Sequence, residues 1–343
     1  MKKHSSIRFL LIVLAIVICA TATRAQSVVT NLPESDAVVT VNVRRIVNET
    51  LPRLLTAEQM SGVQSALAKA KKIAGFDVSN IDTAVVGLRL NRNAPLAMPS
   101  MLLVMRGSFN ADALVSLVKI GLAGKARDEK YGAKTLTLLK LKDVMPSGGA
   151  AATSPAVEIA IVALDGGTLA AGSPAYVKAA VDADTGKNRI RPELVQMVGR
   201  EANSLIAIAG LVPQGLFASI LPKEIQGNEE IARLAGSIEQ IYIGLNMDAQ
   251  GFPLSVMLKA NTVENAHAIT GFLQTIAQFG TNVADKNVKP IVDALKITSQ
   301  ETEVQVRTVL PQEIVASFVR GLFSSAAKPA EPKSAPKPET KKP

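Results

Sequence analysis

The chain of 343 residues holds one cysteine, two histidines and no tryptophan, its aromatic content is 3%, and its formal charge is +9. That composition removes thiol chemistry and zinc centres built on several His or Cys, and it weighs against base-stacking platforms for single-stranded nucleic acid and against stacked sugar sites. The charge does not bring nucleic acid back as a partner, because it is concentrated at the ends: Lys2, Lys3, Arg8 and Arg24 face no acid, the segment from Lys328 carries five lysines against Glu331 and Glu339, and the body between is close to neutral.

Residues 1–25 read as a secretory signal: a basic start, an apolar run from Phe9 to Ala22, and the small-x-small site Thr23-Arg24-Ala25 before Gln26. The run is shorter than the about 20 residues a membrane-spanning helix needs, so cleavage after Ala25 and export to the periplasm or the outside are expected, with no span left in the mature chain. Ile18 before Cys19 argues against lipid attachment, and Cys19 leaves with the signal. The mature fold must then rest on its core, without a disulfide.

From Leu32-Pro33 the chain leads into a β-branched strand over 37–43 and a helical region over 45–74, which Pro52 is expected to break in two. Strands follow at 83–90 and 100–106, then a helix over 111–122 with Asn110 as N-cap, a strand at 135–141, and a Gly/Ala-rich loop over 143–155. Residues 157–164 and 168–171 form a hairpin around Asp165-Gly166-Gly167, whose residues are expected to supply positive φ. Ser173-Pro174 then opens a helix. The second half offers a strand at 203–209, helices at 212–221 and 229–235, a hairpin of 238–247 with 252–259, a helix over 263–279, a helical stretch at 288–294, a hairpin of 295–299 with 302–309, and a last helix opened by Pro311.

The two halves correspond. Ile81-Asp82-Thr83-Ala84-Val85-Val86-Gly87-Leu88-Arg89-Leu90-Asn91 aligns without a gap on Ile238-Glu239-Gln240-Ile241-Tyr242-Ile243-Gly244-Leu245-Asn246-Met247-Asp248, an offset of 157 that drifts to 137 by Pro174 and Pro311. Repetition at this scale implies one supersecondary unit used twice, with most patterned residues serving packing. The expected fold is α+β: two duplicated units, 26–190 and 191–327, each a mostly antiparallel sheet with helices packed on one face, then a solvated Lys/Pro tail over 328–343. Leu32-Pro33 with Ala37-Val38, and the hairpin followed by Gly172-Ser173-Pro174, resemble exported bacterial proteins grouped as domains of unknown function, over most of residues 30–323. That resemblance implies no activity or ligand.

Few residues invite chemistry. Ser116-Leu117-Val118-Lys119 has the Ser-x-x-Lys spacing that sets a lysine one turn from a nucleophilic serine, the basis for an alternative reading as a Ser/Lys hydrolase. No Lys-Thr-Gly accompanies it, and a helical wheel groups Ser116 with Lys119 and Asp112 on a polar arc opposite Leu114, Leu117 and Val118. His267, the one histidine outside the signal, falls beside Gln274 and Gln278, opposite an arc of Ala266, Ile269, Leu273, Ile276 and Ala277 that is expected to be buried, so His267 is expected to be exposed. Asp182, Asp184, Asn188 and Glu193 approximate a calcium loop, but position 5 is Gly186 and position 6, which wants glycine, is Lys187. No phosphate loop is present. Gly87 and Gly244 match between the halves and suit either a ligand or close packing. With no catalytic, cofactor or metal residue to assign, the expectation is a non-enzymatic binding or interaction protein. Its partner is another protein or an apolar, lipid-like ligand between the units, and its tail touches an anionic envelope.

Overall fold

The computed structural model describes residues 28–74, 77–91, 99–122, 124–140, 158–201, 203–213, 216–217, 227–283 and 288–326. Twelve antiparallel strands form one continuous sheet: β1 (Ala37–Val41), β2 (Ile81–Arg89), β3 (Ser100–Gly107), β4 (Arg127–Tyr131), β5 (Lys134–Lys140), β6 (Glu158–Asp165), β7 (Thr168–Gly172), β8 (Ile206–Leu211), β9 (Ile238–Leu245), β10 (Phe252–Ala260), β11 (Lys296–Gln300) and β12 (Glu303–Leu310). Their order is β11-β12-β10-β9-β8-β1-β2-β3-β7-β6-β5-β4. The first strand of each half meets the other at the centre, Val39 opposite Ile208. Outward from that pair, one side runs β1-β2-β3-β7-β6 and the other β8-β9-β10-β12-β11, with β5 and β4 added beyond β6. The expectation of two separate sheets is therefore corrected: both halves belong to one sheet, joined by the backbone ladder between β1 and β8.

The helices are α1 (Ala57–Ala74), α2 (Ala111–Gly121), α3 (Pro174–Asp184), α4 (Pro192–Gly199), α5 (Glu229–Gly236), α6 (Val263–Val283), α7 (Lys289–Asp293) and α8 (Gln312–Ala326), preceded by a short helical run over 43–54 whose middle, Ile46–Thr50, is a π turn. They cover both faces of the sheet, which corrects the one-face expectation. The reason lies in the strands: β3, β6 and β7 (SMLLVMRG, EIAIVALD, TLAAG) are apolar at odd and even positions alike, so both faces must be covered. On one face α3 and α4, with Val28, Val29 and Leu32 of the N-terminal segment, close over Val38, Leu102, Ala160, Leu138, Ala209, Tyr242 and Met257, none more than 4% exposed. The other face carries α2 over Leu169, Met105 and Ile161, α6 over Val304 and Leu258, and α8 over Phe252, Leu245 and Leu310.

Local detail departs from the sequence reading in three places. Pro52 lies inside the short helix Leu51–Leu54, and the break comes at extended Leu55. There Thr56 and Gln59 form a reciprocal capping box, Gln59 N–H to Thr56 Oγ1 at 3.3 Å and Thr56 N–H to Gln59 Oε1 at 3.2 Å, which starts α1. In the β6–β7 turn neither glycine has positive φ. The Asp165 carboxylate instead accepts the Gly167 N–H at 2.8 Å, and a Cβ on Gly167 would stand 2.8 Å from the Gly107 carbonyl oxygen, so that glycine is there for a close backbone approach. Strand β4, RDEKY, escaped the sequence reading because it lies at the sheet edge and carries charge at four of five positions. The loop expected over 143–155, the tail, the signal and most of the helix expected over 212–221 lie outside the described residues.

Candidate functional site

The half of the molecule that carries a candidate site is the face under α2, α6 and α8. Strand register places one side chain per strand in a straight row: Val256 opposite Ile243, Ile243 opposite Ile208, Ile208 opposite Val39, Val39 opposite Val86, and Val86 opposite Leu103. All six are aliphatic and all remain partly exposed, whereas Val38, Ala209 and Tyr242, one residue along on the other face, are sealed. The row continues through Val306 to Ile297 on one side and through Ala171 to Ile161 on the other. At about 4.8 Å between strands, the six central residues make a floor about 24 Å long. Its backbone groups are spent in the ladder, so this floor offers a ligand contact area and no hydrogen bonds.

Helix α6 supplies a wall. It is held on its outer flank by the sheet edge, where His267 Nδ1 lies 3.3 Å from Ser299 Oγ and the Gln274 amide donates to the Ile297 carbonyl at 3.1 Å. Ala266 and Ile269 point down into the core. At about 100° per residue, Phe272, Ile276 and Phe279 fall on the flank opposite His267 and Gln274, turned toward the sheet centre. They are 36%, 50% and 69% exposed. This corrects the wheel that placed Ile276 on the buried arc: α6 has two apolar stripes, and the core uses one. The same holds for α2, where Ala111 and Val115 are buried while Leu117 and Ile120 face solvent. Among the described residues, the large apolar side chains that remain exposed (those named here, with Met101, Val263, Val288 and Phe318) lie on this side of the sheet.

The residues singled out for chemistry are not brought together. Ser116 is exposed and its hydroxyl donates to the Asp112 carbonyl at 2.9 Å, as a solvated helix face would have it. The Lys119 ammonium is paired with the Asp128 carboxylate at 2.7 Å and not with the Ser116 hydroxyl. His267 is exposed at the sheet edge. In the 182–193 segment the Asp182 carboxylate accepts the Tyr131 hydroxyl at 2.8 Å, and its carbonyl accepts Lys187 N–H and Thr185 Oγ1, with Gly186 at φ +97°: the segment is a helix-ending turn.

Gly87 and Gly244 are explained by packing on the sealed face. A Cβ at Gly87 would stand 3.0 Å from Ser35 Oγ and 3.2 Å from the Tyr176 hydroxyl; one at Gly244 would stand 2.5 Å from the Tyr242 hydroxyl and 2.6 Å from Glu201 Oε2. Each glycine makes room for a buried tyrosine, supplied by α3 in one half and by the same strand in the other. Ser35 and Tyr176 share a 2.6 Å hydrogen bond, Ser35 donates to the Pro33 carbonyl, and Tyr176 also reaches the Glu34 carbonyl at 3.2 Å. Burial pushes both phenol pKa values up.

Cavities elsewhere include ones of about 250, 320, 490 and 620 Å³. One of about 250 Å³ at the end of β1, β2 and β8 is lined by Asp36, Leu90, Arg191, Leu211 and Pro213, with Asp36 bonded to Arg191 at 3.3 Å and to Leu90 N–H at 2.8 Å. Among the described residues no three His, Cys, Asp or Glu side chains converge as a metal site would require, and no helix is long and apolar enough to cross a membrane.

No protein-family model and no curated protein matches the sequence. Among solved structures the chain is similar to crystal forms of TP0453: form III with a TM-score of 0.47 at 9% identity, over 85% of this chain and 97% of that one, and forms IV and I with TM-scores of 0.45 at 10% identity, over 85% and 86% of this chain and 95% and 96% of theirs.

Proposed function

We propose that this is an exported, non-catalytic binding protein of the periplasm or cell envelope, built by duplication of one unit, that holds an apolar chain along the partly covered face of its sheet. The observation that carries the reading is the row from Val256 to Leu103: six aliphatic side chains in register across six strands, none sealed, beside the Phe272–Ile276–Phe279 flank. A floor without hydrogen-bonding groups favours a ligand that brings none, since a polar group laid on it would lose its water without compensation. A hydrocarbon chain meets that condition. The floor of about 24 Å exceeds the depth of one bilayer leaflet, about 15 Å, so an acyl chain of ordinary length fits along it. Duplication is supported by the ungapped match of 81–91 with 238–248 and by the strand order repeating outward from the β1–β8 pair; export is supported by the signal-like first 25 residues.

The test is native mass spectrometry of the mature protein purified gently from its own envelope. A discrete lipid-sized adduct is expected, retained about tenfold less by a Val39→Thr/Ile208→Thr variant, which puts two hydroxyls at the centre of the floor, at Val39 without change of size and at Ile208 with the loss of one methyl-sized group. A bare chain, or an adduct indifferent to that variant, would remove the reading.

A further inference from the structure

We infer that the cavity between α1 and the helical run over 43–54 is a second ligand site, which takes a neutral, largely apolar molecule carrying one amide or hydroxyl group, and that α1 is its moving wall. The cavity holds about 490 Å³, within the roughly 300–1,000 Å³ of small-molecule sites. Val47, Asn48 and Pro52 line it from the run, and Met60, Gln64 and Leu67 line it from α1. Spacings of four and three residues set those last three on one stripe of the helix. No described side chain of α1 is buried, and Met60 and Leu67 are half-buried. The helix therefore turns this stripe to the cavity instead of to a core. None of the lining residues belongs to a strand, so the site does not depend on the acyl-chain reading.

The two walls are held differently. Leu54 of the run is buried in one cluster with Phe252 and Ala316, and Arg45 donates to Asn246 Oδ1 at 3.0 Å and to the Asn203 carbonyl. Val47 and Asn48 belong to the π turn Ile46–Thr50, a rare form that recurs at functional sites. Opposite this anchored wall, α1 rests beside α2 and the turn over 78–80. A helix with so little buried surface opens locally at low cost, and a ligand that touches both walls holds it closed. The polar groups select the ligand. Among the described residues the Asn48 and Gln64 amides bond no other group of the protein, so each keeps a donor and an acceptor for the cavity. The charges at its end are spent on each other, Lys71 on Asp77 at 3.1 Å. A charged ligand would lose water there without a counter-ion, whereas an amide or hydroxyl finds matching groups.

The experiment is calorimetric titration of the mature, full-length protein with octanamide, with octanoate as its charged counterpart, followed by amide hydrogen exchange. Octanamide is expected to bind at least about tenfold more tightly than octanoate. At about ten times its Kd it should slow exchange in α1 about tenfold. An Asn48→Ala/Gln64→Ala variant, changed at two exposed positions, should weaken octanamide about tenfold with an unchanged melting temperature. The Val39→Thr/Ile208→Thr variant, aimed at the floor, should bind octanamide as the parent chain does. No binding of octanamide, equal binding of octanoate, binding untouched by the Asn48 and Gln64 substitutions, or exchange in α1 unmoved at saturation overturns the inference. Loss of octanamide in the floor variant overturns it too, because that would place the probe on the floor. Octanamide bound as expected by a chain that carries no envelope adduct leaves this site in place and removes the acyl-chain reading alone.

Discussion

At the scale of single residues, the chemistry of this protein is buried packing. The three tyrosines show it: Tyr176 and Tyr242 are held above the ordinary phenol pKa by burial, and Tyr131 first by its hydrogen bond to Asp182. A group whose folded pKa is raised contributes stability below its unfolded value, near 10, and that contribution is lost as pH rises through the folded value. A spectrophotometric titration should therefore show phenolate appearing above the ordinary value near 10; three ordinary titrations near 10 would contradict these environments. Gly87→Ala and Gly244→Ala should each lower stability by about 1–3 kcal/mol in chemical denaturation, because a methyl group meets a buried tyrosine hydroxyl. Asp77 is held at about 2 by the Ser79 hydroxyl first and then by Lys71 and the Ser79 N–H. Its share of stability is present above pH 3.8 and lost toward pH 2, and Ser79→Ala should move its NMR titration midpoint back up. The matching glycines were visible in the sequence, but the tyrosines that fill them come from different elements, and that pairing was not.

At the scale of elements, alternation and capping were legible where burial is one-sided. β12 reads EVQVRTVL, and its Val304, Val306 and Thr308 turn toward α6 and α7 while Gln305 and Arg307 turn away. The Asn110 cap of α2 stood in the sequence and in the fold, its side chain accepting the Ala113 N–H at 2.9 Å. The Thr56–Gln59 box was present as Thr-x-x-Gln but was overshadowed by Pro52, which a first helical turn tolerates. Thr56→Ala should cost about 1 kcal/mol and raise hydrogen exchange in the first turn of α1; unchanged exchange would show that the turn is held from elsewhere. Ile276 was misread as core because a wheel shows that a face is apolar, not what covers it.

At the scale of the molecule, the two halves share one sheet. β1 and β8 sit at the middle of the sheet, and cutting between them would expose two aliphatic edge strands with unpaired backbone. Residues 26–190 expressed alone should therefore dimerise or aggregate in size-exclusion chromatography, and co-expression with 191–343 should restore a soluble complex; a stable monomeric half would show that the β1–β8 ladder is dispensable. The sequence by itself determined the α+β class and most strands and helices, because these follow from local periodicity and turn chemistry. Only the tertiary structure decided that the halves share one sheet, that helices lie on both faces, and that one aliphatic row stays partly exposed. Those facts depend on which distant strands exchange backbone hydrogen bonds and on which of two equally apolar faces a neighbouring helix covers, and neither is written in the local pattern.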